Sequence, residues 1–365
     1  MEKINRRQWM TKATLLGGSL MTIPYILKSA PADGIDRIIK LNANENPYGP
    51  SRKALVAIQE VLSEGNRYAF EKADNLITSI ASHHAIKSNN LMLGAGSSQL
   101  LHLLGNWILN KAYTITYASP TFKILPNYVK NLGGGTKKIA TKQFYHDLDA
   151  MLESSLVKPG VVYVVNPNNP TGTKLNRDEL VKFCLEASRH SYVIVDEAYI
   201  EYVEGNESLI NLIHENKRII VLRTFSKIYG LAGLRVGYLA AHNETINQLK
   251  NYQIWSHDSL SVTGITAASK SLNDNGFVKT SRDYNNQTRQ FMVDELAQFG
   301  IRPITSHTNF IFYEDPSGEE VQNYLRERNI LIGRLQVDDR TYLRVSLGTR
   351  NEMDQFLSRL KEFKN

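Results

Sequence analysis

The sequence predicts an α/β fold: a large domain on a mostly parallel sheet flanked by helices, then a smaller α+β C-terminal domain. Between about Leu91 and Ala241, short apolar runs alternate with stretches of helical periodicity, the pattern of strand–helix–strand units. The polar motifs of this region fall just after those runs, at 166–172, 196–199 and 224–227. Open sheets of this kind gather ligands beyond the carboxyl ends of their strands, so the motifs point to a single site. Beyond Asn243 the pattern changes to long helical stretches and two further strand-like runs, which marks a second part.

The elements can be taken in chain order. Residues 1–32 stand apart: Arg6-Arg7 leads into the mostly apolar stretch from Ala13 to Leu27, then Ala30-Pro31-Ala32. A paired arginine, a modest apolar stretch and a small-x-small site have the form of a twin-arginine export signal. The stretch is too short for a firm membrane span. Residues 33–75 read as an N-terminal arm with one helix near 52–62. The large domain is expected over 76–242, with strands at 113–117, 161–165, 192–195, 219–222 and 236–240. Residues 243–365 should supply helices at 244–255, 265–272 and 277–299, strands at 309–313 and 342–347, and a last amphipathic helix at 352–363.

Composition excludes several functions. With 42% hydrophobic and 22% charged residues, the chain of 365 residues is ordinary globular protein, long enough for two domains. The formal charge is +7, but residues 1–32 hold +4 of it, and the rest carries no footprint for nucleic acid. Cys184 is the only cysteine, so no intramolecular disulfide can form, and its apolar helical setting reads as core. The nine histidines show no metal-ligand spacing, and no metal site is expected.

The most informative stretch is Arg223-Thr224-Phe225-Ser226-Lys227, eight residues before Arg235 in Gly233-Leu234-Arg235-Val236-Gly237. A lysine after an apolar strand, flanked by a hydroxyl and followed by an arginine among glycines, suits a pyridoxal phosphate site. Upstream, Gly94-Ala95-Gly96-Ser97-Ser98-Gln99 opens an apolar-periodic helix, whose backbone N–H groups attract a phosphate. Ser97 could also cap that helix. Asn166-Pro167-Asn168-Asn169-Pro170 carries turn chemistry that would aim Asn169 inward.

Taken with Asn44-Glu45-Asn46-Pro47-Tyr48-Gly49-Pro50, Asp196-Glu197-Ala198-Tyr199, Tyr342-Leu343-Arg344 and Gly348-Thr349-Arg350, in this order, the chain resembles the fold type I, class I/II pyridoxal phosphate-dependent aminotransferases over roughly 38–363. The histidinol-phosphate aminotransferase branch is the most similar. The resemblance implies that Lys227 links to the cofactor aldehyde and, once freed, moves the substrate proton. It implies that Asp196 faces the pyridine nitrogen, that Asn169 and Tyr199 reach the phenolate oxygen, and that Phe122 stacks on the ring. Gly96, Ser97, Ser98, Ser226 and Arg235 would hold the phosphate. Tyr68 would reach the cofactor of a neighbouring subunit, which implies a homodimer; the family's usual proline after it is Ala69 here. Arg344 would clamp a substrate carboxylate, with Tyr48 and Arg334 at positions that contact a substrate phosphate.

The expected activity is amino transfer from histidinol phosphate or an amino acid to a 2-oxo acid such as 2-oxoglutarate. A related decarboxylase of phosphorylated threonine, and a non-catalytic exported binding module, are the alternatives. Export sits awkwardly with histidine synthesis, which is expected in the cytoplasm.

Overall fold

The computed structural model describes residues 38–205, 207–253 and 259–364. Residues 1–32, expected to form an export signal, and the end of the helix expected at 244–255 therefore lie outside the described residues.

The larger sheet is built from β2 (Leu91–Gly94), β3 (Ile115–Ser119), β4 (Thr136–Ala140), β5 (Val161–Val165), β6 (Tyr192–Asp196), β7 (Ile219–Thr224) and β8 (Gly237–Ala241). Their order across the sheet is β2-β8-β7-β6-β5-β3-β4. β8 runs antiparallel to both its neighbours, and the remaining pairs are parallel. Every residue of β5, β7 and β8 is buried, as in strands covered on both faces. Alternation decides which face each residue serves. Val162, Val164, Val193, Val195 and Val221 enter one core, while Val161, Tyr163, Ile194, Ile220 and Leu222 enter the other. Burying each such side chain contributes about 1.5–3 kcal/mol before entropy is counted.

Helices seal both faces. One core is closed by α2 (Phe70–His83), α6 (Arg177–Ala187) and α8 (Val262–Leu272), through residues such as Leu76, Phe183 and Ile265. The other is closed by α3 (Gly96–Asn110), α4 (Ile124–Asn131) and α7 (Asn243–Leu249), through Trp107, Leu125 and Ile246. Cys184 is fully buried in the first core. Two further helices complete this part, α1 (Arg52–Val61) and α5 (Leu148–Val157). α1 starts where Ser51 accepts from the Ala54 amide, a side-chain N-cap.

The smaller sheet has the order β1-β10-β11-β9, from Ile39–Leu41, Ile330–Val337, Arg340–Ser346 and Phe310–Glu314. Its apolar face packs on α9 (Asn275–Ala297), α10 (Gly318–Glu327) and α11 (Arg350–Lys364) through Met292, Leu325 and Phe356.

Several expectations are corrected. Helix α2 crosses residue 75, so the stretch 33–75 holds more than one helix; its buried Ala73, Leu76 and Ile80 recur at helical spacing. β4 went unread because it is a sheet edge with two exposed lysines rather than an apolar run. β10 went unread because only Ile330 and Ile332 at its start are buried, and from Gly333 on its residues are half-buried or exposed. Helix α3 is not capped by Ser97: the cap position is Ala95, and its amide donates to Gln99 Oε1 at 2.6 Å.

Candidate active site

The strand ends converge on a cavity of about 300 Å³ lined by Lys227, Asp196, Tyr199, Asn169, Phe122, Ser97, Ser98, Ser226, Arg235 and Arg344. Register explains the convergence: Val165 pairs with Asp196, Asp196 with Leu222, and Gly237 with both Thr224 and Gly94. The segments after β2, β3, β5, β6 and β7, and the one before the antiparallel β8, therefore leave the sheet along one edge.

Asp196 ends β6 in full burial. It accepts from the Tyr163 hydroxyl at 2.9 Å and from the Ala198 amide at 3.1 Å. Burial pushes its carboxyl up to about 6, against the pull of those two donors. Lys227 Nζ donates to Ala43 O at 3.2 Å and Asn44 O at 3.1 Å. Burial, and next the nearby Arg344 charge, pull its amine down to about 8, with Glu45 opposing. An amine at that value changes charge close to neutral pH, as a proton carrier requires.

Tyr199 OH accepts from Asn44 Nδ2 at 3.0 Å and Asn169 Nδ2 at 3.3 Å, and burial pushes the phenol up to about 12. Arg344 Nη1 donates to Asn169 Oδ1 at 2.7 Å, and Nη2 to Asn42 O at 2.8 Å. The arginine thus fixes which end of the Asn169 amide faces Tyr199.

The phosphate corner rests on close approach. Gly96 has φ +71°, and a Cβ there would lie 2.2 Å from Arg235 Nη2. At Gly237 a Cβ would meet the Ser97 backbone nitrogen at 2.6 Å. Only glycine lets the start of α3, the strand β8 and the arginine come so close. Arg235 Nη1 also donates to Ala232 O at 2.9 Å and to Ser226 Oγ at 3.4 Å. Arg235 itself adopts φ 53°, a left-handed backbone.

Three expected residues lie elsewhere in this chain. Tyr48 is 41% exposed and packs on Tyr284 at 5.2 Å between ring centroids. Tyr68 is 75% exposed and stacks on Phe70. Arg334 donates to Glu319 at 2.8 Å and Gln322 at 3.1 Å on α10. The reason is strand alternation: Arg334 pairs with Leu343, on the face opposite that of Arg344.

The sequence reading gave no role to Asn44, Tyr163 or Thr224. Asn44 is buried with φ 54°, and it donates to Tyr199 while Ser346 Oγ accepts from its amide at 2.8 Å. Its place in the Asn-Glu-Asn-Pro motif was the available signal. Tyr163 sits in an apolar run, where only its hydroxyl hinted at a buried acceptor.

Comparison with known proteins places this geometry. The family model for aminotransferase class I and II matches residues 36–360. The histidinol-phosphate aminotransferase of Moorella thermoacetica is 33% identical over 341 residues, 90% of this chain and 86% of that protein. Histidinol-phosphate aminotransferase 1 of Nitrosococcus oceani is 33% identical over 333 residues, 90% of this chain and 89% of that protein. The histidinol-phosphate aminotransferase of Sinorhizobium meliloti, solved in complex with pyridoxal-5'-phosphate, superposes with a TM-score of 0.83 at 25% identity, covering 90% of this chain and 91% of that one. With a half-buried lysine, a buried carboxylate and an arginine-lined anion corner in one cavity, the chain belongs to the class I and II aminotransferases and uses pyridoxal phosphate to transfer amino groups.

Proposed function

We propose that this aminotransferase takes histidinol phosphate as amino donor and a 2-oxo acid such as 2-oxoglutarate as acceptor. The observation that carries the reading is the convergence of Lys227, Asp196, Arg235 and Arg344 on one cavity. The relatives named for that donor support the choice of substrate.

The residues present fit the cofactor. At Gly96 no side chain fits beside the Arg235 guanidinium, which lines the cavity with Ser97, Ser98 and Ser226, and among the described residues Asp196 has no cation in direct contact to satisfy its charge. Bound there, pyridoxal phosphate supplies an electron sink for the substrate Cα once its proton has left. Ser97, Ser98, Ser226, Arg235 and the amides at the start of α3 hold the phosphate. Asp196 would hold a proton on the ring nitrogen, Phe122 would cover the ring, and Asn169 with Tyr199 would serve its phenolate oxygen. Lys227 would accept the proton that leaves the substrate Cα and carry it back in the amino-transfer step. Arg344 binds an anionic group of the substrate.

A half-reaction on purified protein tests the reading. Histidinol phosphate, phenylalanine and glutamate are each added without acceptor while the bound cofactor's visible band is followed. Bleaching by histidinol phosphate ahead of the other two supports the proposal. Bleaching only by ordinary amino acids replaces the donor, and release of carbon dioxide moves the reaction to decarboxylation. Lys227→Ala must lose turnover by at least about 10²-fold.

The enzyme works as a homodimer in which Tyr68 serves the partner's site, supported by the exposure of Tyr68, Leu55, Val56 and Leu62 in one segment. Mixing Tyr68→Phe and Lys227→Ala chains should yield hybrid dimers with activity neither parent explains. Residues 1–32 direct export, supported by Arg6-Arg7 and the apolar stretch after it. Arg6→Lys/Arg7→Lys should keep the protein in the cytoplasmic fraction.

A further inference from the structure

Asp196 and Glu197 are consecutive, both are buried, and they are treated differently by the fold. Among the described residues Asp196 receives only neutral donors, the Tyr163 hydroxyl and the Ala198 amide. Glu197 receives three donors, one of them charged: Arg223 Nη1 at 2.9 Å, Ser208 Oγ at 2.7 Å and the Leu209 amide at 2.7 Å. The second arm of the guanidinium goes to Glu201 at 2.7 Å. Arg223 is 6% exposed and lies at the end of β7, four residues before Lys227.

A buried carboxylate beside another like charge loses its proton reluctantly unless a cation compensates one of them. Here the fork of Arg223 is committed to Glu197 and Glu201 and does not reach Asp196. His83, His84, Tyr229 and Tyr238 also surround Arg223; burial and the Arg223 charge both lower the two histidines, which therefore add no second cation there. On the other side Asp196 feels Tyr163, Tyr199 and the distant Lys227 charge.

We propose that Arg223 is a positioning residue that, by compensating Glu197, keeps Asp196 as the one carboxylate free to hold the cofactor's ring nitrogen. The inference rests on the cofactor placement given above. Without Arg223, Glu197 becomes an uncompensated neighbour, Asp196 holds its own proton, and the ring nitrogen loses its partner. The direction of the Asp196 shift agrees: burial raises it most, and the Glu197 charge adds to the rise.

The test is a visible-absorbance pH titration of the cofactor-loaded protein, reading the midpoint of the bound cofactor's band, alongside thermal melting. A ring nitrogen without its proton draws less charge from the chromophore. The midpoint in Arg223→Met should therefore move to higher pH by about one unit or more. Arg223→Met/Glu197→Gln removes both charges and should return the midpoint to the wild-type value, whatever its melting temperature. Glu197→Gln alone, the variant to read if Arg223→Met does not fold, should move the midpoint down. An unchanged midpoint in the folded single variants, or a double variant that keeps the shift of Arg223→Met, overturns the proposal and leaves Arg223 a structural staple. A wild-type protein with no such band overturns the cofactor placement itself, and the proposal with it.

Discussion

Arg344 Nη1 meets Asn169 Oδ1 at 2.7 Å, joining a strand of the smaller sheet to the loop after β5 of the larger one. The same guanidinium holds Asn42 O, so one side chain organises the cavity wall from both sides. Its Nε is buried and has no hydrogen-bond partner among the described residues.

A planar fork can keep both acceptors and still present charge to a substrate anion, whereas a lysine is a single point. Arg344→Lys should lower kcat/KM by about 10- to 100-fold, the range for losing a charged hydrogen bond. Steady-state kinetics on the leading donor checks it; unchanged kcat/KM would remove Arg344 from substrate binding.

Gly96 combines a left-handed backbone with a place where an added Cβ would run into the Arg235 guanidinium. Gly96→Ala should cost about 1–2 kcal/mol from the backbone alone and displace Arg235 from the anion corner. Denaturant melts and pyridoxal phosphate titrations should show lower stability together with weaker cofactor binding. Full cofactor affinity in a folded Gly96→Ala protein would place the phosphate elsewhere.

The Lys227 amine, pulled down to about 8, is mostly protonated below that pH and neutral above it. Covalent uptake of pyridoxal phosphate by the cofactor-free protein should therefore accelerate as pH rises to about 8 and then level off. Glu45 raises this value, so Glu45→Gln should shift the rising limb to lower pH. Stopped-flow absorbance measures both limbs, and a shift to higher pH would contradict the assigned sign.

His84 is held down to about 3 by burial, then by Arg223 and His83, and its Nε2 lies 2.7 Å from Tyr238 OH. The folded protein keeps this ring neutral, while the unfolded chain protonates it below about 6.5. Its contribution is therefore present above pH 6.5 and is lost as pH falls from there toward 3. His84→Gln should flatten part of the stability loss between pH 7.5 and 5 in chemical denaturation. An unchanged slope would mean that other groups carry the acid sensitivity.

Much of this site was legible because its chemistry is local in sequence. Asp196-Glu197-Ala198-Tyr199 and Ser226-Lys227 each follow an apolar strand directly, so a strand reading already places them at a sheet edge. Residues whose role depends on a distant partner were not legible. Tyr163 reads as one more apolar strand residue until β6 is laid beside β5 and its hydroxyl meets Asp196. Arg334 and Arg344 look alike as strand arginines, yet register sends one to α10 and the other to the cavity.

The sequence by itself determined the alternating α/β layer, the strand-end location of the motifs and the reactive lysine, because apolar periodicity and short-range turn chemistry are encoded residue by residue. Only the tertiary structure decided which carboxylate receives the buried arginine, which arginine faces the cavity, and how far the Lys227 amine is lowered. Those depend on burial and on charges brought together from residues far apart in the chain, and Coulomb and desolvation energies follow distance in space.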